Sequence, residues 1–178
     1  MNPNNVMSEA LVNRIANSGL ITLRPEEWAP STQPSAIDLK DFLFKGLILK
    51  EQEFREMMKQ HDWKQYSGTT LCVFCSADAI VPSWSYMLIA SNASPFVKEI
   101  FFGTPQQWTS SLLLAHINGM DINEFKDQRV IIKGCSDDVE IGPEIYVALT
   151  NKLVPVVKSL MFGEPCSTVP VFKRSKEA

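Results

Sequence analysis

The residues of this chain best suited to chemistry are four cysteines, at positions 72, 75, 135 and 166. Three of them sit just past short apolar runs instead of inside them: Cys75 in TTLCVFCSAD, Cys135 in RVIIKGCSDD and Cys166 in SLMFGEPCSTVP. Thiolates that converge in a reducing compartment bind soft metals such as zinc, copper(I) or the iron of iron–sulfur clusters. Zn–S bonds of about 2.3 Å require the sulfurs to lie within roughly 4 Å of one another. The expected metal site is therefore Cys75, Cys135 and Cys166, holding zinc or iron. Asp78 is the candidate fourth ligand, with Asp137, Asp138, Glu164 and water as alternatives. The runner-up is a thiol-dependent enzyme with Cys75 or Cys166 as nucleophile, a reading weakened because no histidine lies near the motifs to act as base. A third reading is a non-catalytic interaction module whose cysteines are packing.

Cys72 is different. With Cys75 it spells C-x-x-C, but residues i and i+3 of a strand point to opposite faces, so Cys72 is expected in the core. His61 and His116 belong to no pair with ligand spacing and read as a surface and a packed histidine. Trp84 and Tyr86 read as helix packing. No phosphate-binding glycine loop, nucleophile elbow or H-E-x-x-H is present, and Arg174 lies too far past Cys166 to form a tyrosine-phosphatase loop.

The elements that must position the thiols alternate. TTLCVFC (69–75), VKEIFFG (97–103), RVIIKG (129–134) and SLMFG (159–163) read as strands. Between them lie helical stretches at 79–91, 104–119 and from 142 through Leu153. Asp78 is expected to cap the first of these helices and Thr104-Pro105-Gln106-Gln107 to form a capping box on the second. The second helix would turn Trp108, Leu112 and Ala115 inward, and the third Ile145, Leu149 and Leu153. Such alternation predicts an α/β fold: a mainly parallel sheet of about four strands, in a flavodoxin-like order, with helices on both faces. In such sheets ligands bind beyond the carboxyl ends of the strands, which is where Cys75, Cys135 and Cys166 fall. Helices starting after Cys75 and near Cys135 would favour the thiolate form.

Residues 1–66 read as a less regular α+β segment packed on the 67–178 core, the whole forming one domain. Ser8 caps a short helix carrying Leu11, Val12 and Ile15, which stops at Gly19. LITL (20–23) is a strand, 24–35 a proline-rich loop, and 36–49 ambiguous between strand and helix. Residues 50–63 form a helix with Phe54, Met57 and Met58 on one face. No internal repeat stands out.

A net charge of −3 excludes the basic face that nucleic-acid binding needs. No apolar run is long enough to span a membrane, and the N-terminus lacks a signal-peptide pattern, so a cytoplasmic protein is expected.

The stretches NRIANSGLITL, GLILKEQEFREMMKQHDWKQY, CSADAIVPSWSYML, VIIKGCSD and KSLMFGEPCSTVPVFKR together resemble the DUF2480 family of Bacteroidetes, over nearly the whole chain. The resemblance implies a cytoplasmic single-domain protein and carries no catalytic residue across. It also implies a link to SUF-type iron–sulfur assembly, whose proteins would then be its partners. Cysteine is not required by the family at the position of Cys72, in keeping with a core role.

Overall fold

The computed structural model describes residues 20–134, 140–164 and 167–175. The chain folds as two compact units, one formed by Met1–Ala29 with Leu113–Ala178 and the other by Pro30–Leu112. Strand β1 (Leu20–Leu23) belongs to the first unit, and the chain then builds the whole of the second before returning. The second unit runs β2 (Ser35–Asp38), α1 (Glu51–Gln60), β3 (Thr70–Phe74), α2 (Ser83–Ala93) and β4 (Glu99–Phe102). Helix α3 (Pro105–Gly119) carries the chain back to the first unit, completed by β5 (Arg129–Ile132), α4 (Pro143–Leu153), β6 (Ser159–Glu164) and β7 (Ser167–Lys173).

Each unit has its own sheet. The order is β2-β3-β4 in one, all parallel, and β1-β5-β6-β7 in the other, parallel except for the last pair. The α/β class and the mainly parallel four-stranded sheet are as expected. The strands around Cys75 and Cys135 nevertheless stand in different sheets, and the flavodoxin-like order is not found. Periodicity identifies a buried parallel strand but carries no information on which strand lies beside it.

The two units follow the same plan. A strand (β2 or β1) leads into a short 3-10 turn, Leu39–Phe42 in one and Pro25–Trp28 in the other. A helix and a second 3-10 turn follow, Trp63–Tyr66 or Asn123–Phe125, entered in both by an Asx turn in which Asp62 or Asp121 accepts the amide hydrogen two residues on. Next comes the central strand, then a helix and a third strand. Gly68 (φ 73°) and Asp127 (φ 58°) adopt the left-handed conformation at matching places, and their amides donate to Phe96 O and Val156 O at 3.0 and 2.9 Å. Tyr86 packs edge-on against Phe102, as Tyr146 does against Phe162, with ring centroids 5.1 and 5.3 Å apart. The sequence carries the same duplication: Cys75, Ser76, Asp78, Tyr86, Pro95, Val97, Lys98, Phe102 and Gly103 recur at one constant offset as Cys135, Ser136, Asp138, Tyr146, Pro155, Val157, Lys158, Phe162 and Gly163. This internal repeat escaped the sequence reading because most core positions differ in identity while keeping their apolar character.

Several local expectations hold. LITL is a strand, Cys72 is fully buried, and Ile145, Leu149 and Leu153 form the inner face of α4. The capping box forms reciprocally: Thr104 N donates to Gln107 Oε1 at 2.8 Å and Gln107 N to Thr104 Oγ1 at 3.2 Å. Others need correction. Helix α2 starts at Ser83 with Pro82 at its cap, so Asp78 is not the N-cap. In α1 the inner face is Phe54 and Met58, with Met57 turned outward, and in α3 Leu113 and Ile117 are buried while Leu112 and Ala115 are exposed. The proline-bearing segment after residue 166 is a strand and not a loop; Pro170 is tolerated because β7 is an edge strand with a register irregularity opposite it. The helix expected around Leu11, Val12 and Ile15 lies outside the described residues.

His61 joins an aromatic cluster with Phe42, Trp63 and Tyr66, its Nε2 lying 2.8 Å from the Tyr66 hydroxyl, so it is not the free surface histidine expected. His116 is exposed, with one face stacked on Trp28 at 4.7 Å.

Ile89 and Leu149 occupy matching, fully buried places in α2 and α4. Ile89→Ala and Leu149→Ala should each lower the urea unfolding free energy by about 2–5 kcal/mol, while Met87→Ala, on an exposed position, should stay within about 0.5 kcal/mol. A second prediction concerns pH. Burial, opposed by the nearby Asp62 charge, lowers the His61 pKa below its usual 6.5. The unfolded chain then binds the proton more readily than the folded one, so the His61 contribution is fully present above pH 6.5 and is lost as pH falls below it. Urea midpoints measured across that window should fall with pH, and His61→Gln should flatten the decline.

Candidate functional site

Among the described residues, the predicted site is represented by Cys75 and Asp78; Cys135 and Cys166 lie outside them, as do Asp137 and Asp138. Cys75 is the first residue past β3, so its thiol does stand at the carboxyl end of a parallel strand. Leu71, Cys72 and Val73 are buried within that strand, and Cys75 is the first of the two cysteines to reach solvent, half-buried. Its Sγ donates a weak hydrogen bond to Ala77 O at 3.6 Å.

The loop after Cys75 is held by a residue that sequence reasoning did not single out. Asp38, the last residue of β2, accepts hydrogen bonds from Ser76 N at 3.0 Å and Ser76 Oγ at 2.5 Å. It also accepts the Lys40 amide at 3.0 Å, and the Lys40 ammonium lies 3.4 Å from its second oxygen. Burial works against its charge, but the hydrogen bonds from the Ser76 side chain, the Lys40 amide and the Ser76 amide outweigh burial and lower its pKa. The parallel pairing of Asp38 with Phe74 brings the carboxylate to the Cys75 loop. Only the apolar-polar step in SAID, ending at Asp38, hinted at such a strand-end anchor.

Tyr86 completes the surroundings. Burial, and after it the nearby Cys75 and Asp38, raise its hydroxyl pKa above the usual tyrosine value. Asp78 is exposed on the same loop and, among the described residues, makes no hydrogen bond or ion pair. Glu164, the other described carboxylate considered as a ligand, lies 3.4 Å from the Lys133 ammonium. Cys72, by contrast, has its thiol pushed up to about 11, first by burial and then by Glu99, which disfavours its thiolate.

The described residues contain no group of three or more potential ligands that could by themselves hold a metal ion. What the loop offers is one half-buried thiol, one uncommitted carboxylate three positions on, and a backbone fixed by Asp38. Both histidines are occupied elsewhere, His61 with Tyr66 and His116 on Trp28, so a general base for Cys75 is not found among them. No described helix is long and apolar enough to cross a membrane.

No curated protein and no solved structure matches the chain. A family model described as "Protein of unknown function (DUF2480)" matches residues 9–174, nearly the whole sequence. That match, over more than nine-tenths of the sequence, leads to one assignment: the chain belongs to the DUF2480 family.

Proposed function

We propose that this is a cytoplasmic metal-binding protein in which Cys75, Cys135 and Cys166, with Asp78 as a further oxygen donor, supply ligands for zinc or iron. The observation that carries this reading is the sequence Cys-Ser-x-Asp that recurs after β3 and after β5, with Cys75 only half-buried and Asp78 exposed. Among the described residues Asp78 makes no hydrogen bond or ion pair, and the Cys75 thiol has only a long contact to the Ala77 carbonyl. Thiolates select soft or borderline ions, and a carboxylate suits zinc or iron better than copper(I) as a companion ligand. Asp38 contributes by fixing the loop before any ion arrives, which lowers the entropy cost of binding. A site of this composition suits a role accessory to iron–sulfur cluster assembly, with the assembly proteins as partners.

Elemental analysis of protein purified without chelator or affinity metal tests the proposal. Bound zinc or iron is expected, and Cys75→Ser, Cys135→Ser and Cys166→Ser should each lower its retention while Cys72→Ser leaves it unchanged. Asp38→Asn should keep the stoichiometry but weaken affinity by roughly 10- to 100-fold, as is usual for an outer-shell partner. Chelation should turn at least one of the three thiols from slow to fast in alkylation near neutral pH. Metal-free protein whose thiols react identically with and without chelator would sink the reading.

A further inference from the structure

The two units differ at one edge. In the first unit the outer side of β6 is covered by β7, which pairs antiparallel from Ser159↔Lys173 to Glu164↔Ser167. In the second unit the matching strand is β4, and it ends its sheet. Gly103 N donates inward to Val73 O, so with the alternation of a parallel ladder the amides and carbonyls of Ile100 and Phe102 face outward. Among the described residues no strand takes them up.

The side chains beside this edge are apolar and uncovered. Phe102 is 73% exposed and Met87 70%. With Val73, Tyr86, Ala90 and Ile100 they line a cleft of about 320 Å³. The matching cleft in the first unit, about 470 Å³, has Ile132, Tyr146, Val147, Thr150, Leu160 and Phe162 at equivalent places, and Val171 of β7 also lines it. There Phe162 is only 36% exposed. An open strand edge flanked by exposed aromatic surface is a template for further strand pairing.

We propose that β4 pairs antiparallel with β4 of a second copy of this chain, across a two-fold axis at Phe101. The edge is self-complementary. With Phe101 opposite itself, Ile100 faces the partner's Phe102 and Phe102 the partner's Ile100. The outward groups of these residues then exchange four backbone hydrogen bonds in two close pairs. The resulting aliphatic–aromatic pairs reproduce those that β7 makes with β6, Leu160↔Phe172 and Phe162↔Val169. Glu99 falls opposite Gly103, so no like charges meet. An interface that presents the same patch on both copies closes as a dimer and goes no further.

Sedimentation of the full chain across the micromolar range should show a reversible monomer–dimer equilibrium. Phe102→Lys should weaken it by roughly 30-fold or more, the effect of losing an interface hot spot, with the far-UV circular dichroism of the folded chain retained because the side chain is 73% exposed. Phe101→Cys should form an intermolecular disulfide under mild oxidation, since residue 101 opposes itself only in this register; Phe101→Ala is the control. A chain that stays monomeric throughout, a dimer indifferent to Phe102→Lys, or a dimer without the cross-link would each overturn the proposal. A monomer that binds the peptide Ser-Thr-Val-Pro-Val-Phe-Lys, the sequence of β7, at this edge would overturn it too, assigning the edge to a strand from another protein.

Discussion

The structure rests on the hydrogen-bonding obligation of two central strands. Leu71, Cys72 and Val73 of β3, and Val130, Ile131 and Ile132 of β5, are buried on both faces. Their backbone groups can be satisfied only by strands on either side, because water cannot reach them. One neighbour follows in sequence, by way of a helix that returns the chain in parallel. The other must come from earlier in the chain. For β3 that strand is β2, and for β5 it is β1, which pairs with it residue for residue although all of the second unit lies between them. The loop that carries Cys75 hangs on the same pairing, since the alignment of β2 with β3 is what delivers Asp38 to Ser76.

The repeats also show how one plan is terminated in two ways. After Gly163, whose φ of 113° few other residues tolerate, the chain reverses into β7. After Gly103, at φ 140°, it enters the capping box of α3. The same Phe-Gly-x-Pro sequence thus leads to a strand in one unit and a helix in the other. The difference follows from what comes next. Gln107 can reach back to the Thr104 amide and start a helix, whereas Ser-Thr-Val-Pro-Val-Phe is β-branched and favours extended backbone.

What was legible in the sequence is what depends on near neighbours. The strand at Leu20–Leu23, the capping box at Thr104 and the inner face of α4 each follow from a few adjacent residues. Strand order is not local, and a chain that alternates strand and helix reads the same whether its strands share one sheet or two. The irregular look of residues 24–49 hid β2 because that strand is four residues long and runs straight into a 3-10 turn. Likewise, the position of Cys75 at a strand end could be read from TTLCVFCSAD, but its anchor could not: Asp38 meets Ser76 across 38 positions of chain. Met57 and Leu112 were misplaced for a smaller reason. Three apolar residues at helical spacing define a face wider than the neighbouring sheet covers, and only contact decides which of them is buried.

The positions identical between the two repeats divide by physical cause. Gly103 and Gly163 are required by positive φ, and the Tyr–Phe pairs by edge-on packing beneath each helix. Pro95 and Pro155 fall just past the ends of α2 and α4, where a helix must stop. Val157 is buried in its core, and Val97 packs on the other. Once these are removed, a lysine that begins the approach to the third strand remains, together with the proline of Phe-Gly-x-Pro and with Cys-Ser-x-Asp. Cys75 packs only partly against its core, and Asp78 is exposed and, among the described residues, makes no hydrogen bond or ion pair. Ser76 has its own cause, since its amide and hydroxyl tie the loop to Asp38, whereas the exposed carboxylate of Asp78 is bound by no such contact among the described residues.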